Sequence, residues 1–101
     1  MQAKGLRLVA RNVRFRGGEL DLVMKDGDTL VVAEVRKRSR EDYGGAAASV
    51  DPRKRARIVQ ATRLWLAQTP QYSDWPIRFD VCALDGANRV SWLRAAFDAE
   101  E

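Results

Sequence analysis

Apolar and polar positions alternate along three early stretches of the chain. Leu6 to Phe15, Glu19 to Met24 and Thr29 to Arg36 are rich in β-branched and long apolar residues with a period near two, the pattern of strands. Lys25-Asp26-Gly27-Asp28 separates the second from the third, and Asp-Gly between two such runs predicts a hairpin. After a Gly/Ala-rich loop over residues 43–49 the period changes. Asp51 is placed to cap a helix with Pro52 at its first position, and Thr69-Pro70 is placed to end it. Ile58, Ala61, Thr62, Trp65 and Leu66 fall on one side of that helix and form its predicted buried face. Ile77, Phe79, Val81 and Ala83 alternate along a fourth strand; Asp85-Gly86 then turns the chain into a last short strand near residues 89–93. The sum is a single α/β (α+β) domain over residues 1–101, a mixed sheet of about five strands with a flanking helix.

The hairpin carries acids where a buried strand pair would not be expected to. A turn centred on Asp26-Gly27 sets Glu34 opposite Glu19 and Asp21 opposite Val32. Side chains alternate across a sheet, so Glu19, Asp21, Glu34 and Arg36 share one face with Val23, Leu30 and Val32. Leu20, Leu22, Met24, Val31, Ala33 and Val35 take the other, which is expected to be core. Like charges opposed across strands destabilise a sheet, and partial burial adds to the cost. Either a divalent cation or Arg36 with a second basic side chain must compensate. Mg²⁺ suits such a pair, since it takes one or two carboxylates and keeps several waters.

Composition narrows the chemistry. A chain with 46% hydrophobic and 32% charged residues is globular in type. It has no apolar run of about 18 residues, so neither a membrane span nor a signal peptide is expected. The lone Cys82 cannot form an internal disulfide, which fits a reducing cytoplasm. With no histidine, a His-based triad is excluded, and with one cysteine so is a structural zinc site. Any metal must be a hard cation held by oxygen, and no nucleophile motif or cofactor loop suggests a small-molecule enzyme.

The net charge of +4 is unevenly spread. Arg7, Arg11, Arg14 and Arg16 precede the hairpin, Arg36, Lys37, Arg38 and Arg40 follow it, and Arg53, Lys54, Arg55 and Arg57 open the helix. Three clusters in a small domain favour a polyanionic partner over plain surface charge. Lys54 and Arg55 lie at the edges of the buried helical arc and aim toward the sheet, whereas Arg53 and Arg57 point outward. Cations in a first helical turn oppose the macrodipole but suit a bound phosphate. The alternative is that Lys54 pairs with Asp51 or with the hairpin acids.

The stretches R-N-x-R-x-R-G-G-E-L-D-L, D-G-D-T-L-V-V-A-E-V-R-K-R-S, G-G-A-A-x-S-V-D-P-R-K and R-F-D-V together resemble the YraN family of bacterial proteins. That family is similar to the PD-(D/E)XK nuclease superfamily, near the Holliday-junction resolvases, and the likeness runs from about Gly5 to Phe97. It implies a restriction-endonuclease-like fold and a metal site of Asp21 and Glu34, with the Val35 carbonyl as a further ligand and Glu19 nearby. It also puts Lys54 at a basic helix position used near the phosphate. Two features depart from the pattern. The family usually has lysine where this chain has Arg36, and arginine's pKa is too high for it to serve as a base. The family normally opens with a glutamate-bearing helix ahead of the region matching Gly5, where this sequence has Met1 to Lys4.

The leading expectation is a Mg²⁺- or Mn²⁺-dependent endonuclease domain acting on duplex or branched DNA. Asp21, Glu34, Arg36 and Lys54 would be catalytic, and Arg53, Lys54, Arg55, Arg57, Lys37 and Arg38 would bind the nucleic acid. Arg36 leaves its activity weak or absent. The competing expectation is a non-catalytic nucleic-acid-binding or protein-interaction module on the same fold. A sheet without its leading helix would expose apolar area near Leu6 and Leu8, which predicts a two-fold homodimer.

Overall fold

The computed structural model describes residues 5–37, 51–84 and 90–97. Five strands, β1 (Arg7–Phe15), β2 (Gly18–Asp26), β3 (Thr29–Lys37), β4 (Ile77–Leu84) and β5 (Val90–Phe97), form one sheet in sequential order. β1, β2 and β3 run antiparallel, β4 lies parallel to β3, and β5 returns antiparallel to β4. The one parallel step needs a crossover, and helix α1 (Pro52–Gln68) supplies it. The fold is therefore α+β with a mixed sheet. The Gly/Ala-rich loop, the Asp85-Gly86 turn and Arg38 lie outside the described residues.

Helix α1 begins and ends where the sequence punctuates it. Asp51 stays extended and accepts a hydrogen bond from the Lys54 amide at 2.9 Å, Pro52 fills the first turn, and Thr69 closes the helix with its own amide on the Leu66 carbonyl. Ile58, Val59, Ala61, Thr62 and Trp65 are buried. Ile58, Val59, Ala61 and Trp65 pack with Leu20, Val23, Leu30, Val32, Phe79, Val81, Ala83 and Phe97 into one core between helix and sheet. The approach is close at Gly18, where a Cβ would stand 2.8 Å from the Arg57 carbonyl oxygen. A short 3₁₀ turn, Pro70–Tyr72, follows the helix and stacks Tyr72 on Trp65, a detail that the proline alone did not predict.

Two expectations about the hairpin need correction. Its loop is Gly27-Asp28, not Asp26-Gly27: Asp26 pairs with Thr29, Val23 with Val32 and Leu22 with Ala33. Gly27 leads the turn at φ +61, the arrangement of a type II′ hairpin, while Asp26 remains in the strand and accepts from Arg78 Nη1 at 3.0 Å. Moving the turn by one residue changes who opposes whom but not which face a residue occupies. Asp21, rather than Glu19, comes level with Glu34. The second correction concerns the core. The face that bears the acids is the one packed on the helix, through Val23, Leu30 and Val32. Met24, Val31 and Ala33 are buried on the opposite face but lie outside that cluster, and Leu22 and Val35 are half-buried. Leu20 and Val23 both join the helix-side core, three residues apart, which regular alternation forbids. The β1–β2 pairing is irregular: its register shifts between Leu8 and Ala10, and Asn12 in β1 sits at φ +51.

Candidate metal and phosphate site

The β2–β3 ladder stops at Leu22–Ala33, and the next level holds Asp21 and Glu34. There the Val35 amide donates to Asp21 Oδ2 at 2.9 Å. A side-chain carboxylate takes the place of a backbone carbonyl, so the strands can part without leaving that amide unpaired. β4 continues along the far side of β3, pairing Glu34 with Val81 and Arg36 with Ala83. The central strand is therefore held on one side and open on the other at the acids.

Glu34 is 4% exposed and its carboxylate oxygen Oε1 lies 2.9 Å from Lys54 Nζ. Burial pushes its carboxyl up to about 7, and neighbouring Asp21 adds to the rise; Lys54 pulls the other way without cancelling it. Desolvation thus disfavours a bare carboxylate here, and two acids face the single ammonium of Lys54.

An open cleft of about 460 Å³ leads to Glu34. Its walls are Arg14 and Phe15 at the end of β1, Gly17 in the turn, Gly18 and Glu19 at the start of β2, and Lys54, Arg57 and Ile58 from α1. Glu19 sits on the rim with its side chain 48% exposed, 3.7 Å from Arg14. Asp21 stands beside Glu34 at one remove from the cleft wall. Among the described residues no group of three or more His, Cys, Asp or Glu side chains gathers as a metal cluster, so Glu19 does not join the other two acids.

The remaining candidates are distributed around this centre. Arg36 is half-buried on the Glu34 face of β3, and Lys37 is exposed at its end. Arg53 is exposed on the outer side of α1. Arg55 turns back over the Phe97 ring at 5.5 Å, as its helical angle predicts, and packs on the sheet. Arg14 was legible only as one member of a basic cluster; the fold selects it by ending β1 at the cleft mouth. The buried Asp80 of the R-F-D-V stretch lies away from the cleft. It accepts from Arg78 Nε and Nη2, Trp92 Nε1 and the Ala95 amide, fixing a bulged β5 in which Ala95 has φ +50.

The family model described as "Uncharacterised protein family UPF0102" matches residues 1–84. The chain belongs to UPF0102. The YraN-like resemblance of its motifs and this family are the same relationship. A UPF0102 protein of Pseudomonas fluorescens is 50% identical over 103 residues, covering 98% of this chain and 84% of its own length. The Halorhodospira halophila protein is 50% identical over 100 residues, with 99% and 78% covered. The Bordetella avium protein is 52% identical over 98 residues, with 97% of this chain but 66% of its own length covered. These UPF0102 names state no activity, so function must be read from the site. No helix of the described residues is long and apolar enough to cross a membrane.

Proposed function

We propose that this chain is a nuclease-fold domain that binds DNA across the cleft and hydrolyses phosphodiesters with Mg²⁺ or Mn²⁺ held at Asp21 and Glu34. The observation that carries the reading is the pairing of two carboxylates where the sheet parts, one of them buried and held near neutrality, at the foot of a cleft lined by Arg14, Lys54 and Arg57. The donor set fits a hard cation: two carboxylates, the carbonyl of Val35, whose amide meets Asp21, as a further oxygen, and the cleft beside Glu34 as room for water. When bound, such a cation polarises a phosphate oxygen and makes water a nucleophile near neutral pH.

The chain's own residues do the rest. Asp21 is oriented by the Val35 amide and Glu34 by its buried setting, so both acids are in place before a ligand arrives. Lys54 and Arg36 neutralise the phosphate on which charge builds; Arg14, Arg53 and Arg57 hold flanking phosphates. Arginine holds its proton at any ordinary pH, so at position 36 it stabilises charge but cannot deprotonate water. This leaves turnover slow.

A second reading has its own observation. The 2.9 Å contact of Lys54 with Glu34 offsets the acid with no metal, as a module that binds nucleic acid without cutting would require. Cleavage of a four-way junction, a flap and a single strand in Mn²⁺, lost in EDTA and in Asp21→Asn, is the result expected of the nuclease. Salt-sensitive binding without cleavage under any of these conditions favours the module. Absence of both binding and cleavage overturns the two together.

A further inference from the structure

We propose that Lys54 is an exchangeable counter-ion, which holds Glu34 while the acids carry no metal and transfers to a nucleic-acid phosphate when a divalent cation takes its place. The exchange rests on the metal reading above and adds an order of events to it. Lys54 and Glu34 are unequal partners. Glu34 is fixed, with 5% of its side chain exposed, whereas the Lys54 side chain is 39% exposed and hangs on a flexible four-carbon stem. Its main chain cannot follow a movement of the head, because the Lys54 amide is tied to Asp51 at the helix cap. Only the ammonium is free to swing, and the space beside it is the cleft.

Charge decides the direction. With both ionised, as metal ligation requires, Asp21 and Glu34 carry two negative charges and Lys54 returns one. A dication cancels both, and the ammonium beside it then repels the metal and is itself surplus. Like charges at close range favour separation, so cation loading expels Lys54 from Glu34. Arg14 and Arg57 line the cleft into which it moves. A phosphate there gains one more cation only after the metal has entered, so metal and phosphate should bind cooperatively. In the metal-free chain the same lysine offsets Glu34, which keeps that acid from repelling the polyanion outright.

The test has two arms on the purified chain, both without turnover as the readout. In calorimetry with Mn²⁺ and no nucleic acid, Lys54→Met should bind the ion roughly tenfold more tightly than the unaltered chain, within the usual range of such couplings. Asp21→Asn should lose the heat. In the second arm, acylation of lysine amines is followed by mass spectrometry on the unaltered chain, so it stands even if Lys54→Met folds poorly. Mn²⁺ should raise labelling at Lys54 and leave Lys25 and Lys37 unchanged, and a short DNA duplex should shield Lys54 again. Mn²⁺ binding with no tightening in Lys54→Met and flat Lys54 labelling overturns the exchange while sparing the metal site. Exposure that the duplex does not shield overturns the transfer to phosphate. No heat in either the unaltered chain or Lys54→Met removes the metal reading, and the exchange with it.

Discussion

Glu34 concentrates the chemistry of this chain because it is buried beside another acid. Its carboxyl, ordinarily near 4.5, is raised to about 7 in the fold. A raised carboxyl contributes stability that is full below the lower value and is lost as pH rises through the higher one. Glu34→Gln should therefore melt higher than the unaltered chain at about pH 8 in EDTA and show little difference at about pH 5; melting curves of both at the two pH values check this. An equal gain at both would mean that the strain is not electrostatic. Arg36 allows a test of the chemistry. Arg36→Lys supplies a shorter amine that can lose its proton when desolvated, so Mn²⁺-dependent cleavage should rise. Asp80 acts differently: fully buried and bonded to four donors, it is structural. Asp80→Ala strands Arg78 Nε and Nη2 and the Trp92 and Ala95 N–H groups, leaving Arg78 only Asp26, which should cost about 3 kcal/mol or more in urea unfolding.

At the scale of elements, the contact of β2 with α1 sets the cleft. Gly18→Ala drives a Cβ against the Arg57 carbonyl, which is backbone and cannot rotate away. The helix must shift outward, at about 1–3 kcal/mol in urea unfolding. Helix α1 was readable to the residue, since Asp51-Pro52 and Thr69-Pro70 act locally and need nothing from elsewhere. The first four strands were readable from alternation, and so were Asp21 and Glu34 as a pair on one face. The last was placed from the Asp85-Gly86 turn as a short strand ending near residue 93, and it runs on to Phe97. Register was not readable. Asp-Gly does not say which residue leads the turn, and here Asp26 is retained in the strand by Arg78, 52 residues away. The placement of Leu20 failed for a related reason: the pairing of β2 with β1 is irregular, with a register shift between Leu8 and Ala10 and Asn12 at φ +51, which no local pattern encodes. The sequence leaves Lys54 a choice of acids, and only the close packing of α1 on the hairpin selects Glu34 over Asp51 for its amine.

For the whole molecule, the basic clusters matter through where the fold gathers them. Arg14 from β1 and Lys54 and Arg57 from α1 converge on one cleft although they lie far apart in the chain. Binding governed by such a gathering is electrostatic and nearly indifferent to base sequence. Replacing Arg53, Lys54 and Arg57 together by alanine should flatten the slope of log affinity for duplex DNA against log salt, by about 0.9 for each phosphate no longer neutralised. An unchanged slope would place the binding face elsewhere.

The central claim is that Asp21 and Glu34 together hold a divalent cation. Thermal unfolding in Mn²⁺ tests it most directly, because an ion that binds only the folded chain must stabilise it, by about 2.7 kcal/mol at a hundred times its dissociation constant. The melting temperature of the unaltered chain should climb with Mn²⁺ and return with EDTA, and neither Asp21→Asn nor Glu34→Gln should climb. A melting temperature indifferent to Mn²⁺, or a rise that persists in Asp21→Asn, would contradict the account.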